Sequence, residues 1–191
     1  MDLTTVRARL QRYQPAKVEH NGYQRAAVAM ILRERGHGCE VLLIQRSERP
    51  HDPWSGHMAF PGGRHDPEDA DLIRTATRET HEEVGIDLTR TGHLIGHLDD
   101  LQAIAHSRPL GLIIRPYVYA LASEVEPAPD QREVRATVWM PLAHLTRAEA
   151  AGTYTYGDGG SGQQFPAFVY QGYTIWGLTH RMLSGFLELM R

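Results

Sequence analysis

The sequence predicts an α/β or α+β domain, and three observations carry that prediction. Two adjacent apolar runs, RAAVAMILR at residues 25–33 and CEVLLIQR at residues 39–46, read as strands on either side of a glycine-containing turn. A periodic helix with polar caps precedes Gly85, and a second amphipathic helix follows Gly177. Strands and helices alternate with no internal repeat or linker, so residues 25–191 read as one domain, with residues 1–24 as an N-terminal helix and link.

The elements follow in order. Residues 3–13 suit a short basic helix, and a polar link leads from it to Arg25. After the two strands, Asp66 is placed to cap the central helix. Pro67 suits its first position, and Asp69 sets a negative charge at the positive end of the helix dipole. Ile73, Ala76, Thr80 and Val84 form its apolar stripe, with Leu72 at the edge and Gly85 as the stop. Further strands are expected in GHLIGHL near Gly92, GLIIRPYVYAL from Gly111 and EVRATVWMPL from Glu133. A short helix is expected over residues 142–151. The GDGGSG turn at residues 157–162 separates two aromatic-rich runs, AGTYTY and FVYQGYTIW. Leu178, Met182, Leu183, Phe186, Leu187 and Met190 then recur at helical spacing.

Composition narrows the function. At 191 residues and 41% hydrophobic, the chain can bury a sizeable core. A formal charge of −3 offers no footprint for nucleic acid, so an anionic partner must be a small molecule handled locally. The single cysteine, Cys39, makes an intramolecular disulfide impossible. Neither a membrane-spanning run nor a signal segment is expected. The default is a cytoplasmic enzyme, and a homodimer is compatible with the sequence.

The chemistry is concentrated in the central helix. Glu79, Glu82 and Glu83 stand at i, i+3 and i+4, which places three carboxylates within an arc of about 100°. Each like-charge pair costs a few tenths of a kcal/mol, roughly, in an isolated helix. A lone RETHEE is ordinarily a solvated acidic face, but a hard divalent cation such as Mg²⁺ or Mn²⁺ turns such repulsion into binding. No HExxH or His-x3-His pattern supports zinc, and no G-x-S-x-G motif marks a serine nucleophile.

Residues 60–86, FPGGRHDPEDADLIRTATRETHEEVGI, resemble the signature of the Nudix hydrolases, G-x5-E-x7-R-E-U-x-E-E-x-G-U with U aliphatic. Arg78 to Ile86 match except for Thr80 in an aliphatic slot. Asp69 occupies the first acid position, with one residue more than usual between it and Arg78. The resemblance implies an α/β/α sandwich around a mixed sheet, the signature forming a loop, helix and loop. It also implies hydrolysis of a diphosphate linkage with Mg²⁺ or Mn²⁺. Glu82 and Glu83 are then expected as metal ligands, Glu79 as a third ligand or the base, and Arg78 as the residue that orients a glutamate. A main-chain carbonyl of Gly62 or Gly63 is expected to add a metal oxygen. Glu133 falls where many members carry another acid and is a candidate base or ligand.

The preceding segment, LLIQRSERPHDPWSGHMAFPGG, resembles the second motif of the coenzyme A pyrophosphatase branch through Leu42, Leu43, Arg46, Ser47, Gly56, Phe60, Pro61, Gly62 and Gly63. It departs at Ile44, at His51 in place of an arginine, and by one extra residue before Gly56. Trp176 to Thr179 is similar to the same branch. The substrate implied is coenzyme A or a derivative, with Arg46, Phe60, Gly62 and Gly63 at the substrate. Arg46 suits a phosphate because its guanidinium is always charged and forked. Trp54 and Tyr117 are candidates to stack on a base or flank the pantetheine arm, although packing is the commoner use of each. ADP-ribose, another nucleoside diphosphate derivative or a damaged nucleoside triphosphate is the alternative substrate, and a non-catalytic nucleotide sensor the alternative class.

Overall fold

In the computed structural model, which describes residues 1–50, 54–105, 108–157 and 162–191, the two apolar runs become paired strands. The chain order is α1 (Leu3–Arg12), β1 (Gln24–Arg35), β2 (Gly38–Arg46), β3 (Met58–Ala59), β4 (Gly62–Arg64), α2 (Leu72–Val84) and α3 (Leu88–Thr91). There follow β5 (Gly92–His97), β6 (Leu101–Ala105), β7 (Arg108–Leu121), β8 (Val134–Pro141), α4 (Leu142–Leu145), β9 (Ala151–Tyr156), β10 (Gln163–Tyr170), β11 (Tyr173–Trp176) and α5 (Gly177–Leu189).

The main sheet runs β3-β2-β1-β7-β5, with β4 on β1, β6 on β7 and β8 on β2. Only β1 and β7 pair in parallel among the described strands, so the sheet is mixed. Residues 39–44 of β2 are buried without interruption, because helices cover both faces of the sheet. On one face Ala27, Ala29, Ile31, Leu42 and Ile44 pack with Ala76 and Val84 of α2 and with Tyr117 and Tyr119 of β7. On the other, Met30, Leu32, Val41 and Leu43 pack with Val6 and Leu10 of α1 and with Met182, Leu183, Phe186 and Leu187 of α5. The result is an α/β/α sandwich. A second, antiparallel sheet, β11-β10-β9, leads into α5.

Several local expectations change. Helix α2 begins at Leu72 under Asp71, whose carboxylate accepts from Arg74 N at 2.7 Å; Asp66 closes only its own turn, accepting from Glu68 N. Asp69 therefore precedes the helix instead of charging its first turn, because it is drawn into a buried contact with Thr75 and Arg78. Ile73 is exposed, and Thr75 and Thr77 join Ala76, Thr80 and Val84 on the buried side. Tyr117 is 6% exposed within the core, which removes it as a stacking surface. The helix expected over residues 142–151 divides into α4 and a 3₁₀ turn at Ala148–Ala150. His51 and residues 158–161 of the glycine-rich turn lie outside the described residues.

Asp100, whose side chain is fully buried, clamps the N-terminal link to the sheet. It accepts two bonds from Arg115 at 2.7 and 2.9 Å, one from Arg25 at 3.0 Å and one from Val18 N at 3.1 Å. Among the described residues no helix is long and apolar enough to cross a membrane.

Candidate active site

The site is built where β4 meets α2. β4 pairs antiparallel with β1, placing Gly62 opposite Val28 and Gly63 opposite Ala27. At Gly62 the backbone has φ +150°, and a Cβ would lie 2.4 Å from the Ala27 carbonyl oxygen and 2.5 Å from Val28 Cα, so only glycine fits. Gly63 abuts Glu79 directly: a Cβ there would sit 2.5 Å from the Glu79 carboxyl carbon.

The three glutamates share the helix but not an environment. Glu83 is 3% exposed and accepts from Gly62 N at 2.8 Å. Burial pushes its carboxyl up to about 8, the Gly62 N–H and the charge of Arg46 oppose the rise, and the neighbouring charges of Glu79 and Glu133 add to it. Glu79, with a side chain 18% exposed, is also raised, first by burial, while Arg78 pulls it down. Glu82 is half exposed. Glu82 and Glu83 lie in the last turn of α2, where the helix dipole is itself negative, so the fold adds to the electrostatic cost of these charges.

Arg78 organises the cluster. Its Nε and Nη2 donate to the two oxygens of Asp69 at 3.0 and 2.9 Å, and Nη1 donates to Glu79 at 2.9 Å and Glu82 at 3.0 Å. The pairing with Arg78 holds the Asp69 carboxyl far below the usual carboxylate range. Thr80, the departure from the aliphatic slot, is fully buried and donates its hydroxyl to the Ala76 carbonyl at 2.7 Å, which satisfies the extra polar group. Gly85 ends the helix with φ +68°.

A second strip of chain reaches the same place. Ala128 N and Asp130 N donate to the carbonyls of Val84 and Glu83, and Ser47 N donates to the Glu133 carbonyl. Glu133 is thereby brought near enough to raise Glu79 and Glu83, although its carboxylate pairs with Arg49 at 3.3 Å. Arg46 follows a break in the β2 and β8 register and carries its charge beside Glu83. Phe60, 2% exposed, packs in the main core and fixes the strand that leads to Gly62. Trp54 is 39% exposed before β3. Thus Arg46, Gly62, Gly63, Arg78, Glu79, Glu82, Glu83 and Glu133 converge, whereas Phe60 does not present its ring at the surface.

No three His, Cys, Asp or Glu side chains among the described residues form a ready metal cage. Arg78 draws Glu79 and Glu82 to itself, and Glu83 turns to Gly62. The donor set nevertheless fits a hard divalent cation: oxygen ligands only, one of them a carboxylate buried at high electrostatic cost.

The NUDIX domain model matches residues 22–156. The chain belongs to the Nudix family. Among relatives, it is 31% identical over 152 residues to the mitochondrial coenzyme A diphosphatase NUDT8 of Mus musculus, covering 78% of this chain and 70% of that protein. It is 44% identical over 112 residues to the uncharacterized protein C14C4.10c of Schizosaccharomyces pombe, covering 57% of this chain but only 34% of that protein's length. A solved Ap4A hydrolase of C. elegans superposes with a TM-score of 0.52 at 25% identity, covering 63% of this chain and 81% of that one. This Nudix protein is accordingly a hydrolase of pyrophosphate bonds, in a family that acts on small nucleotide substrates and generally uses divalent metal ions.

Proposed function

We propose that this Nudix hydrolase cleaves coenzyme A, or a derivative, to adenosine 3′,5′-bisphosphate and 4′-phosphopantetheine. The observation that carries the substrate is the 31% identity, over most of both chains, to a protein named a coenzyme A diphosphatase. The LLIQRS and FPGG segments flanking β3 support it.

Glu82 and Glu83 are the ligands we assign to Mg²⁺ or Mn²⁺, with a Gly62 or Gly63 carbonyl beside them. Such a cation, when bound, neutralises phosphate oxygens and makes water more acidic. Glu79, pressed against Gly63 and raised by burial, suits the base that takes the water proton. Asp69 holds Arg78, and Arg78 holds Glu79 in its rotamer. We assign Arg46, whose charge lies beside Glu83, to a phosphate oxygen, and Glu133, whose charge reaches Glu79 and Glu83, to a supporting charge. The oxygen of water bonds to phosphorus, and the bridging oxygen leaves with its electron pair on the second phosphate.

A second reading is hydrolysis of a different dinucleotide or nucleoside diphosphate derivative, and the C. elegans Ap4A hydrolase favours it. Mass-resolved product analysis separates the two. Coenzyme A, ADP-ribose, Ap4A and nucleoside triphosphates are each incubated with Mg²⁺, Mn²⁺ or chelator. Metal-dependent release of 4′-phosphopantetheine is the expected result; turnover of another substrate without coenzyme A cleavage overturns it.

A further inference from the structure

The small sheet carries aromatic side chains that the core does not use. Phe165 lies opposite Tyr154, and Ala167 lies opposite both Gly152 and Trp176, so Tyr154, Tyr156, Phe165 and Trp176 share one face. The other face supplies Phe168, Tyr170, Tyr173 and Ile175 to the main core, whereas these four belong to neither core cluster and remain half-buried. Tyr154 stacks on Trp176 with ring centroids 4.1 Å apart and planes at 16°, and Phe165 and Tyr156 lean on the same indole at 5.5 and 5.6 Å.

This face is joined to the catalytic cluster on two sides. The His57 ring meets Trp176 edge to face at 4.9 Å, and the His57 carbonyl accepts from Arg46 N at 3.0 Å. Thr179, in the first turn of α5, donates its hydroxyl to the Met58 carbonyl at 3.0 Å, and the strand from Met58 continues through Phe60 to Gly62. The aromatic face is therefore fixed to the segment that presents Gly62 to Glu83, on the Arg46 side.

We propose that Tyr154 and Trp176 form the subsite that receives the heterocyclic base of the nucleotide substrate, with His57 as the bridge to the phosphate end. This inference rests on the assignment of the diphosphate to Arg46 and the three glutamates. Flat, paired aromatic rings gain from a further flat ring at small ordering cost, and they tolerate any base. The subsite thus determines that the substrate is a nucleotide, and adds to affinity without touching the reacting phosphorus.

The test compares AMP with ribose 5-phosphate, which carries a hydroxyl where AMP carries the base, by titration calorimetry of the full chain in Mn²⁺. AMP is expected to bind at least about tenfold more tightly to the wild type. That ratio collapses toward one in Trp176→Leu and survives in Trp176→Phe. With coenzyme A the loss in Trp176→Leu falls on KM, not kcat. Tyr154→Leu carries the same expectation and serves if Trp176→Leu does not fold. Equal binding of the two ligands by the wild type, or of neither, overturns the inference, as does a ratio unchanged in both folded leucine variants. Failure of the catalytic assignment reads out separately, as metal-dependent turnover that survives Glu83→Gln.

Discussion

Glu83 concentrates the tension of the site in one side chain. Its carboxyl, about 8 in the fold, lies above the value of about 4.3 expected of an unfolded glutamate. The stability that the neutral form contributes is full below the unfolded value and is lost as pH rises through 8. Without metal, the protein is therefore predicted to lose thermal stability between about pH 5 and pH 8, and the gain in Tm on adding Mn²⁺ is predicted to grow over the same interval, because the cation displaces the proton. Glu83→Gln should flatten both trends and cut turnover at least about 100-fold while preserving the circular dichroism spectrum. Differential scanning at several pH values, with and without chelator, decides it, and the wild-type trend persisting in the variant would refute the role of this residue. The sequence made the spacing of the three glutamates legible because residue type and helical period are local properties. It did not reveal their unequal burial, which depends on β4 crossing beside one of them, nor that Asp69 leaves the helix to anchor Arg78.

At the level of elements, the two adjacent glycines of β4 are predicted to fail differently. Gly62→Ala drives a Cβ into the backbone of β1 from a positive φ, so the loss should be of folding, read as a lower Tm and less soluble protein. Gly63→Ala meets only the movable end of Glu79, so the fold should hold within about 1 kcal/mol while turnover falls at least about tenfold from displacement of that carboxylate. Chemical denaturation beside kcat distinguishes them, and equal Tm losses would show that Gly63 is merely structural. The start of α2 shows why local signals mislead: Asp-Pro is a stronger textual start than Asp71, yet the buried Asp69 and Arg78 pair needs a turn at residues 66–71. β3, β4 and β6 are two to five residues long and offer no period to read, although β4 carries the site. The aromatic face of the small sheet was equally hidden, since its members come together only through the registers of three strands.

For the molecule as a whole, Asp100 ties the N-terminal link, β1 and β7 into one body. Burial alone would raise its carboxyl, but hydrogen bonds from Arg115 and Val18 and the charge of Arg25 hold it lowered. Its contribution is thus present above the ordinary aspartate value near 3.9 and is lost as pH falls below it, giving a specific share of acid unfolding. Asp100→Asn leaves two arginines facing each other and should cost about 3–5 kcal/mol, on the order of 10 °C in Tm at neutral pH. The difference from wild type should narrow toward pH 3, and a constant gap across pH would exclude this clamp as the cause.

The parallel union of β1 with β7 has a consequence for synthesis. Tyr117 and Tyr119 complete the floor beneath α2, and they follow the whole glutamate-bearing segment along the chain. A nascent polypeptide emerging from the ribosome holds all three helix glutamates well before it holds the strand that seats them. Cation affinity should then stay absent until β7, and after it the strip of residues 128–133 that bonds to the end of α2, has cleared the exit tunnel, and should not grow gradually as each acid appears.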